Sequence, residues 1–266
     1  HQPRATLETG VMSELAISGL SKAFGGVHAV RDVSFTIRKG EFLAMIGPNG
    51  AGKSTCFNMI NGQLPPDAGE IRFGGRNIAG LAPREIWKLG VGRTFQVAAT
   101  FGSMTVAENV QMALISHAGE IYRFWKPAAQ RHKDRALALL DQVGMKDAAD
   151  RPSRELAYGD VKRVELAIAL ANDPHLLLMD EPTAGMAPRE RNELIALVKR
   201  LVLERGISVL FTEHSMDVVF AHADRIIVLS RGRLIADGDA KSIRDDEKVR
   251  EVYFGTGKTF AKAHTP

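Results

Sequence analysis

The fold of this chain is decided by the segment Gly47-Pro48-Asn49-Gly50-Ala51-Gly52-Lys53-Ser54-Thr55. It matches the pattern G-x-x-x-x-G-K-[ST], in which glycines allow successive backbone N–H groups to turn toward phosphate oxygens. The apolar run over 41–46 predicts a buried strand before it, and Phe57, Ile60 and Gly62 predict a helix after it. Strand, glycine-rich turn and helix start together predict a site for a nucleoside triphosphate.

Two side chains of this segment carry the phosphate chemistry. The Lys53 ammonium is expected to reach the β and γ phosphates, and the Ser54 hydroxyl is expected to ligate Mg²⁺. A glycine-rich turn that binds nothing is the alternative, and the strand and helix on either side argue against it.

A second acidic motif follows another apolar run. Residues 176–179 predict a short buried strand, and Asp180 and Glu181 come directly after it. A rigid strand that ends in an acid can hold Asp180 toward Mg²⁺, and Glu181 is then the candidate general base for an attacking water. Alone, such a pair is more often two solvated acids of a surface turn. Together with the phosphate loop, it indicates phosphoryl transfer to water.

Strands and helices alternate along most of the chain. Helices are predicted for 161–171, 189–205 and 216–222, and strands are predicted for 207–212 and 226–229. This alternation predicts an α/β fold with a parallel sheet covered by helices. The helical texture that begins at Val106 interrupts the alternation, which indicates an inserted subdomain.

The composition excludes several classes of protein. Of the 266 residues, 45% are hydrophobic and 25% are charged, which is ordinary globular usage. The net charge of +4 gives little support to a nucleic-acid binder. The single cysteine, Cys56, excludes a disulfide framework, fits a reducing compartment and is expected to be a buried apolar residue. No uncharged apolar run is long enough to cross a membrane. We therefore expect a soluble, cytosolic protein, with residues 1–12 a disordered tag or leader remnant.

Further features resemble the ATP-binding cassette (ABC) proteins. The run Leu156-Ala157-Tyr158-Gly159-Asp160, ahead of a predicted helix, resembles the signature sequence of that family. Gln96, after a predicted strand, looks like its Q-loop glutamine, and His214 looks like its switch histidine. Phe24 stands where the family has an aromatic residue that stacks on adenine, although a place in the core is the alternative. These elements follow the family order over residues 15–255.

Four runs look most like the ATPases of branched-chain amino acid importers. They are Arg93-Thr94-Phe95-Gln96, Leu156-Ala157-Tyr158-Gly159, Asp180-Glu181-Pro182 with Ala184-Gly185, and Val252-Tyr253-Phe254-Gly255. The resemblance implies a subunit that couples ATP hydrolysis to solute uptake, with branched-chain amino acids as the expected solute.

The resemblance also implies a role for each motif residue. The expected catalytic residues are Glu181, His214, Gln96 and Lys53, and the expected Mg²⁺ ligands are Ser54, Gln96 and Asp180. The expected ATP-binding residues are Phe24, the loop residues Gly47, Pro48, Asn49, Gly50, Ala51, Gly52, Lys53, Ser54 and Thr55, and the signature residues Tyr158 and Gly159.

The fold implied by the resemblance is that of a P-loop NTPase. It has a RecA-like parallel-sheet core, an antiparallel β part and an inserted α-helical subdomain. Residues 13–255 are expected to form the nucleotide-binding domain, with 13–97 and 160–240 as its ATP-binding core and 98–159 as its helical subdomain. Residues 241–266 are expected to be a C-terminal helical extension and tail.

The resemblance implies several partners. The family pairs the phosphate loop of one chain with the signature of another, so a second ATPase chain, identical or related, is expected. Integral-membrane permease subunits are also expected, with a substrate-binding protein as an indirect partner, no nucleic acid, and a peripheral position on the cytoplasmic face of the cell membrane. Tyr122, Phe124 and Trp125 form an aromatic cluster in the inserted region, either as a docking surface for the permease or as packing within the subdomain.

Four positions depart from the commonest family pattern. Ala157 stands in place of a serine, so we do not assign it a hydroxyl contact with the γ phosphate. Tyr158 replaces a glycine and Asp160 replaces a glutamine. The D-loop, Ala184-Gly185-Met186-Ala187, ends in Ala187, where the family usually has an aspartate whose carboxylate acts across the dimer.

Other functions fit the sequence less well. A cassette ATPase of lipid or lipopolysaccharide transport is the nearest alternative because its length and C-terminal pattern are similar. Soluble cassette ATPases of DNA repair would need a long heptad insertion, and those of translation carry two cassettes in one chain. A small-molecule kinase would have no use for the signature helix.

Overall fold

The computed structural model describes residues 13–94, 100–118 and 132–254. In this part of the chain the strands are β1 Ser13–Phe24, β2 Val27–Arg38, β3 Phe42–Ile46, β4 Ala68–Phe73, β5 Arg76–Asn77, β6 Val91–Thr94, β7 Leu176–Asp180, β8 Ser208–Thr212, β9 Arg225–Ser230 and β10 Arg233–Gly238. The helices are α1 Lys53–Ile60, α2 Pro83–Lys88, α3 Val106–His117, α4 Lys133–Gln142, α5 Tyr158–Ala169, α6 Pro188–Arg205, α7 Met216–His222, α8 Ala240–Asp245 and α9 Glu247–Phe254.

The strands form two sheets. The larger sheet has the order β10-β9-β3-β8-β7-β6, and its five strands from β9 to β6 are parallel, with β10 antiparallel at one edge. The smaller sheet has the order β2-β1-β4-β5 and is antiparallel. This confirms the predicted α/β fold with a parallel core and an antiparallel part.

The central strands are buried on both faces. Every residue of β3, β7 and β8 is buried, as expected for parallel strands between two layers. Along β3, Phe42, Ala44 and Ile46 pack with the helices of one layer, whereas Leu43 and Met45 pack with α1 and the antiparallel sheet. The alternation follows from the two-residue period of a strand. Packing on both faces therefore holds the carboxyl ends of these strands in place.

The helices α3, α4 and α5 lie between β6 and β7 in the chain and pack against one another. A capping box starts α3: Thr105 Oγ1 accepts from the Glu108 N–H at 3.2 Å, and Glu108 Oε2 accepts from the Thr105 N–H at 2.7 Å. Of these helices, α3 and α4 lie within residues 98–159, where the sequence predicts an inserted subdomain, whereas α5 extends beyond that range.

The helix that follows the signature starts earlier than predicted. It begins at Tyr158 rather than at Val161, with Ala157 as an extended N-cap residue. No Ser, Thr, Asp or Asn stands at that cap, so the usual sequence signal for a helix start is missing. Within residues 13–94, 100–118 and 132–254, no helix combines the length and apolar character that a membrane crossing needs.

Candidate nucleotide site

The phosphate loop joins β3 to α1, as the sequence predicts. Two of its glycines are required by close packing. A Cβ at Gly47 would lie 2.3 Å from the carbonyl oxygen of Leu229 in β9, and a Cβ at Gly52 would lie 2.4 Å from that of Ala29 in β2. Gly52 is also left-handed, with φ 104°, at the N-cap of α1. The loop is therefore pressed against two strands, and only glycine permits its curl at these positions.

The Lys53 side chain folds back over the loop. Its Nζ donates to the carbonyl oxygen of Gly47 at 2.6 Å and to that of Pro48 at 3.2 Å. Burial lowers the pKa of Lys53, and the negative charges of Glu181 and Asp180 oppose that shift. The cation thus lies in the field of both acids, beside the loop that is predicted to hold the phosphates.

Asp180 and Glu181 stand at the carboxyl end of β7, opposite Thr212 of β8. Asp180 is 6% exposed, and its Oδ1 accepts from the Thr212 hydroxyl at 2.6 Å. Glu181 has a left-handed backbone, with φ 49°, and its N–H donates to the Thr212 carbonyl at 3.2 Å and to Thr212 Oγ1 at 3.0 Å. Strained backbone of this kind occurs at functional sites when neighbouring groups hold it.

The structure brings Glu181 and His214 together. His214 Nε2 lies 2.7 Å from Glu181 Oε1, and the His214 side chain is half exposed. The pair forms because β7 and β8 are parallel neighbours, so the residues that follow them meet at one edge of the sheet. A carboxylate oriented by a histidine is suited to position and deprotonate a water molecule.

Phe24 is not a core residue. It ends β1 with half of its side chain exposed, and the Lys22 ammonium lies 5.9 Å from its ring centroid. An exposed ring beside a cation is free to stack on a base. Cys56, by contrast, is fully buried in α1, where burial raises the pKa of its thiol to about 12. The expectation that this cysteine is a buried apolar residue is therefore confirmed.

The signature lies at the surface, at the start of α5. Tyr158 is half exposed, its ring lies beside Gly185 of the D-loop, and Lys162 Nζ lies 5.5 Å from its centroid. A Cβ at Gly159 would meet Met186 at 3.6 Å, an ordinary contact. Packing among the described residues therefore does not require glycine at 159.

Some predicted residues lie outside the described residues. They are Gln96, with its expected roles in catalysis and Mg²⁺ binding, and the aromatic cluster Tyr122, Phe124 and Trp125. Their roles stay predictions.

Three residues make contacts at the site although the sequence did not predict a role for them. Thr212 ends β8, and Glu213 follows it directly before His214. The sequence position of both residues next to His214 could have indicated a role at the site. The hydroxyl oxygen of Tyr253 in α9 accepts a hydrogen bond from the Gly47 N–H, and burial raises the pKa of this tyrosine. Tyr253 belongs to a sequence run that resembles the importer ATPases. That sequence does not indicate which backbone group the tyrosine hydroxyl contacts.

Comparison with protein families identifies the chain. A family model described as "ABC transporter" matches residues 30–184, more than half of the sequence. This chain belongs to the ABC transporter family. A second model, described as "Branched-chain amino acid ATP-binding cassette transporter", matches residues 233–259.

Individual relatives and solved structures support the assignment of this chain to the ABC family. It is 38% identical over 248 residues to the high-affinity branched-chain amino acid transport ATP-binding protein BraF of Pseudomonas aeruginosa, covering 91% of this chain and 97% of BraF. It is similar to a crystal structure of a nucleotide-free ATP-binding cassette from an ABC transporter, with TM-score 0.83 and 34% identity, covering 92% of this chain and 100% of that one. It is also similar to a dimeric post-hydrolysis structure of the ATP-binding cassette MJ0796 bound to ADP and Pi, with TM-score 0.72 and 29% identity, covering 85% of this chain and 98% of that one.

Membership of the ABC family confirms the predicted fold and activity. The chain is an ATP-binding and ATP-hydrolysing subunit of a membrane transporter. Its nucleotide is ATP, and its partners include the membrane subunits of that transporter.

Proposed function

We propose that this chain hydrolyses Mg²⁺-bound ATP to drive the import of branched-chain amino acids. The 2.7 Å contact between Glu181 and His214 is the observation that carries the proposed catalytic site. The solute is supported by the family match over residues 233–259 and by the transport function in the name of the Pseudomonas relative.

The proposed Mg²⁺ ligands are Ser54, Asp180 and Gln96. Hydroxyl, carboxylate and amide oxygens are the hard donors that this cation takes. Asp180 fits because the Thr212 hydroxyl holds one of its oxygens and so orients the carboxylate. Ser54 fits because its exposed side chain lies in the first turn of α1, directly after Lys53. When bound, Mg²⁺ neutralises charge on the β and γ phosphates.

The proposed reaction assigns one task to each side chain. Glu181 takes a proton from water as the water oxygen bonds to the γ phosphorus and the bond from that phosphorus to the ADP oxygen breaks. His214 orients Glu181 through Nε2, and Lys53 balances the charge of the β and γ phosphates. Phe24 stacks on adenine, which its half-exposed ring supports.

The proposed active form contains two ATPase chains. The signature lies at the surface beside the D-loop, so a phosphate loop of a second chain can approach Tyr158 and Gly159. The free N–H groups at the start of α5 then face the γ phosphate of that chain's ATP. The dimeric MJ0796 cassette gives a related precedent. The two ATPase chains are proposed to bind permease subunits at the cytoplasmic face of the membrane. A substrate-binding protein is proposed to deliver the solute to those permease subunits.

The test is a transport assay with the chain, its permease subunits and its binding protein in proteoliposomes. We expect leucine-loaded binding protein to stimulate ATP hydrolysis and ATP-dependent leucine uptake. Glu181→Gln is expected to abolish both, whereas Glu204→Gln, an equivalent change on the exposed face of α6, is expected to leave both intact. Stimulation by a lipid or lipopolysaccharide, and not by leucine, would contradict the proposed solute.

A further inference from the structure

The carboxyl end of β8 carries two buried polar residues, Thr212 and Glu213. They are 0% and 5% exposed, respectively. A buried polar group requires hydrogen-bond partners, and the identity of those partners indicates what the group holds in place. Both residues have their partners in the segments that bear Asp180, Glu181 and His214.

The Thr212 hydroxyl serves both acids at the end of β7. It donates to Asp180 Oδ1 at 2.6 Å and accepts from the Glu181 N–H at 3.0 Å. A hydroxyl can do both because it has one proton and two lone pairs. One oxygen atom therefore fixes the position of the Asp180 carboxylate relative to the Glu181 backbone.

The Glu213 carboxylate joins two loops. Its Oε1 accepts from the Thr183 N–H at 3.0 Å and from the Thr183 hydroxyl at 2.5 Å. Its Oε2 accepts from the N–H of His214 at 3.1 Å and from that of Ser215 at 3.5 Å. One carboxylate therefore connects the segment after Glu181 to the segment that carries His214.

We propose that Thr212 and Glu213 are positioning residues for ATP hydrolysis, which set the mutual placement of Asp180, Glu181 and His214. The proposal rests on the proposed function of Glu181 and His214. A left-handed backbone at Glu181 persists only when surrounding groups hold it, and Thr212 supplies two of those contacts. Neither residue reacts with ATP; each acts through a neighbour.

The first test is Thr212→Val, which keeps the branched shape and removes the hydroxyl. We expect kcat to fall about 10–100-fold, as for other groups that orient a metal-binding carboxylate. The dissociation constant for metal-free ATP is expected to change little, because the phosphate loop and Phe24 are untouched. Thr212→Ser restores the hydroxyl and is expected to recover most of the activity.

Two further measurements separate positioning from stability. Val209→Ala, on the same strand, loses buried apolar contact without loss of a polar group; at an equal decrease in Tm it is expected to keep a higher kcat than Thr212→Val. Mn²⁺ binding with a non-hydrolysable ATP analogue, followed by EPR, is expected to weaken about 10-fold in Thr212→Val, because Asp180 is no longer oriented.

Glu213→Gln tests the second residue. The amide can still accept from Thr183, but its NH2 group then faces the N–H donors of His214 and Ser215. We expect a lower kcat with unchanged ATP affinity. If this variant does not fold, the Thr212 pair still decides the outcome.

Three results would overturn the positioning role: wild-type kcat in Thr212→Val, equal impairment of Thr212→Ser and Thr212→Val, or unchanged Mn²⁺ affinity. Glu181→Gln is measured in parallel. If Glu181→Gln hydrolyses ATP at the wild-type rate, the proposed catalytic site is wrong. If Glu181→Gln is inactive and Thr212→Val is normal, only the positioning role is wrong.

Discussion

Glu181 adopts a backbone conformation that glutamate rarely takes, and its neighbours show why it persists. The residue after a buried strand must turn sharply if its side chain is to reach His214, which follows the neighbouring strand β8. The left-handed φ of 49° produces that turn, at a cost of about 1–3 kcal/mol. The bonds from Glu181 N–H to Thr212 and from Ala184 N–H to the Glu181 carbonyl, at 3.1 Å, offset it.

Glu181→Gln is expected to remove hydrolysis and to spare ATP binding. The amide keeps the size of the side chain but cannot take a proton, so kcat should fall about 10²–10⁴-fold. Lys53 and Asp180 remain, so the ATP dissociation constant should stay close to that of wild type. Single-turnover hydrolysis and equilibrium binding of a fluorescent ATP analogue measure the two quantities. Turnover within a few-fold of wild type would exclude a general base at this position.

Phe24→Ala is expected to raise the KM for ATP and to leave kcat nearly unchanged. Stacking of a base on an aromatic ring contributes about 1–3 kcal/mol. The ring is half exposed, so its loss should cost little stability. Val27→Ala is a matched control, because Val27 is the 70% exposed first residue of β2, next to the same turn. Steady-state kinetics and a thermal melt of both variants decide the point, and equal KM values would exclude a stacking role.

At the scale of elements, the order of the strands determines which residues meet. Two hydrophobic runs in the sequence predict two strands. Asp180 and Glu181 follow the first run, and His214 follows the second. The same reasoning could not assign a contact to Thr212, because threonine is common in strands and its partner depends on the register of β7 against β8. Pairing across a parallel sheet is a tertiary property that local periodicity does not encode.

The C-terminal helix illustrates the same limit. Tyr253 resembles a family residue in sequence, but its contact with Gly47 depends on how α9 folds back over β3 and α7. Elements β3, α7, α8 and α9 line a small apolar cavity, with the residues Ile46, Met216, Phe220, Ile243, Arg244, Val249, Arg250 and Tyr253. That packing brings a tyrosine hydroxyl to the first residue of the phosphate loop.

Tyr253→Phe is expected to destabilise the chain by about 0.5–1.5 kcal/mol, the usual contribution of one hydrogen bond. The ring remains in place, so the loss isolates the bond to the Gly47 backbone. Urea unfolding measures it, with Tyr158→Phe as the control because the Tyr158 side chain is half exposed. Equal unfolding free energies for the two variants would show that the bond to Gly47 contributes nothing.

At the scale of the whole molecule, the proposed ATP-binding residues fall into two groups. The phosphate loop, Asp180 and Glu181 gather at the carboxyl edge of the parallel sheet. The signature at Tyr158 and Gly159 contacts the D-loop at Gly185 and Met186, and it offers an exposed helix start to another molecule. A sandwich of two chains is the arrangement that would use both surfaces at once.

The chain is therefore expected to dimerise only when ATP is bound and not hydrolysed. ATP supplies the charge that each signature helix attracts, so without it the two surfaces have little to bind. Glu181→Gln should retain ATP and accumulate as a dimer, whereas wild type should form that dimer briefly and return to monomer after hydrolysis. Lys53→Ala is the matched control, because loss of its charge weakens ATP binding and should leave a monomer at the same ATP concentration. Sedimentation velocity with and without ATP measures each species. Two results would contradict a nucleotide-filled interface between two copies of this chain. One is a tight wild-type dimer without ATP, and the other is a Glu181→Gln chain that stays monomeric with ATP bound. The second result would indicate a related ATPase chain as the other subunit.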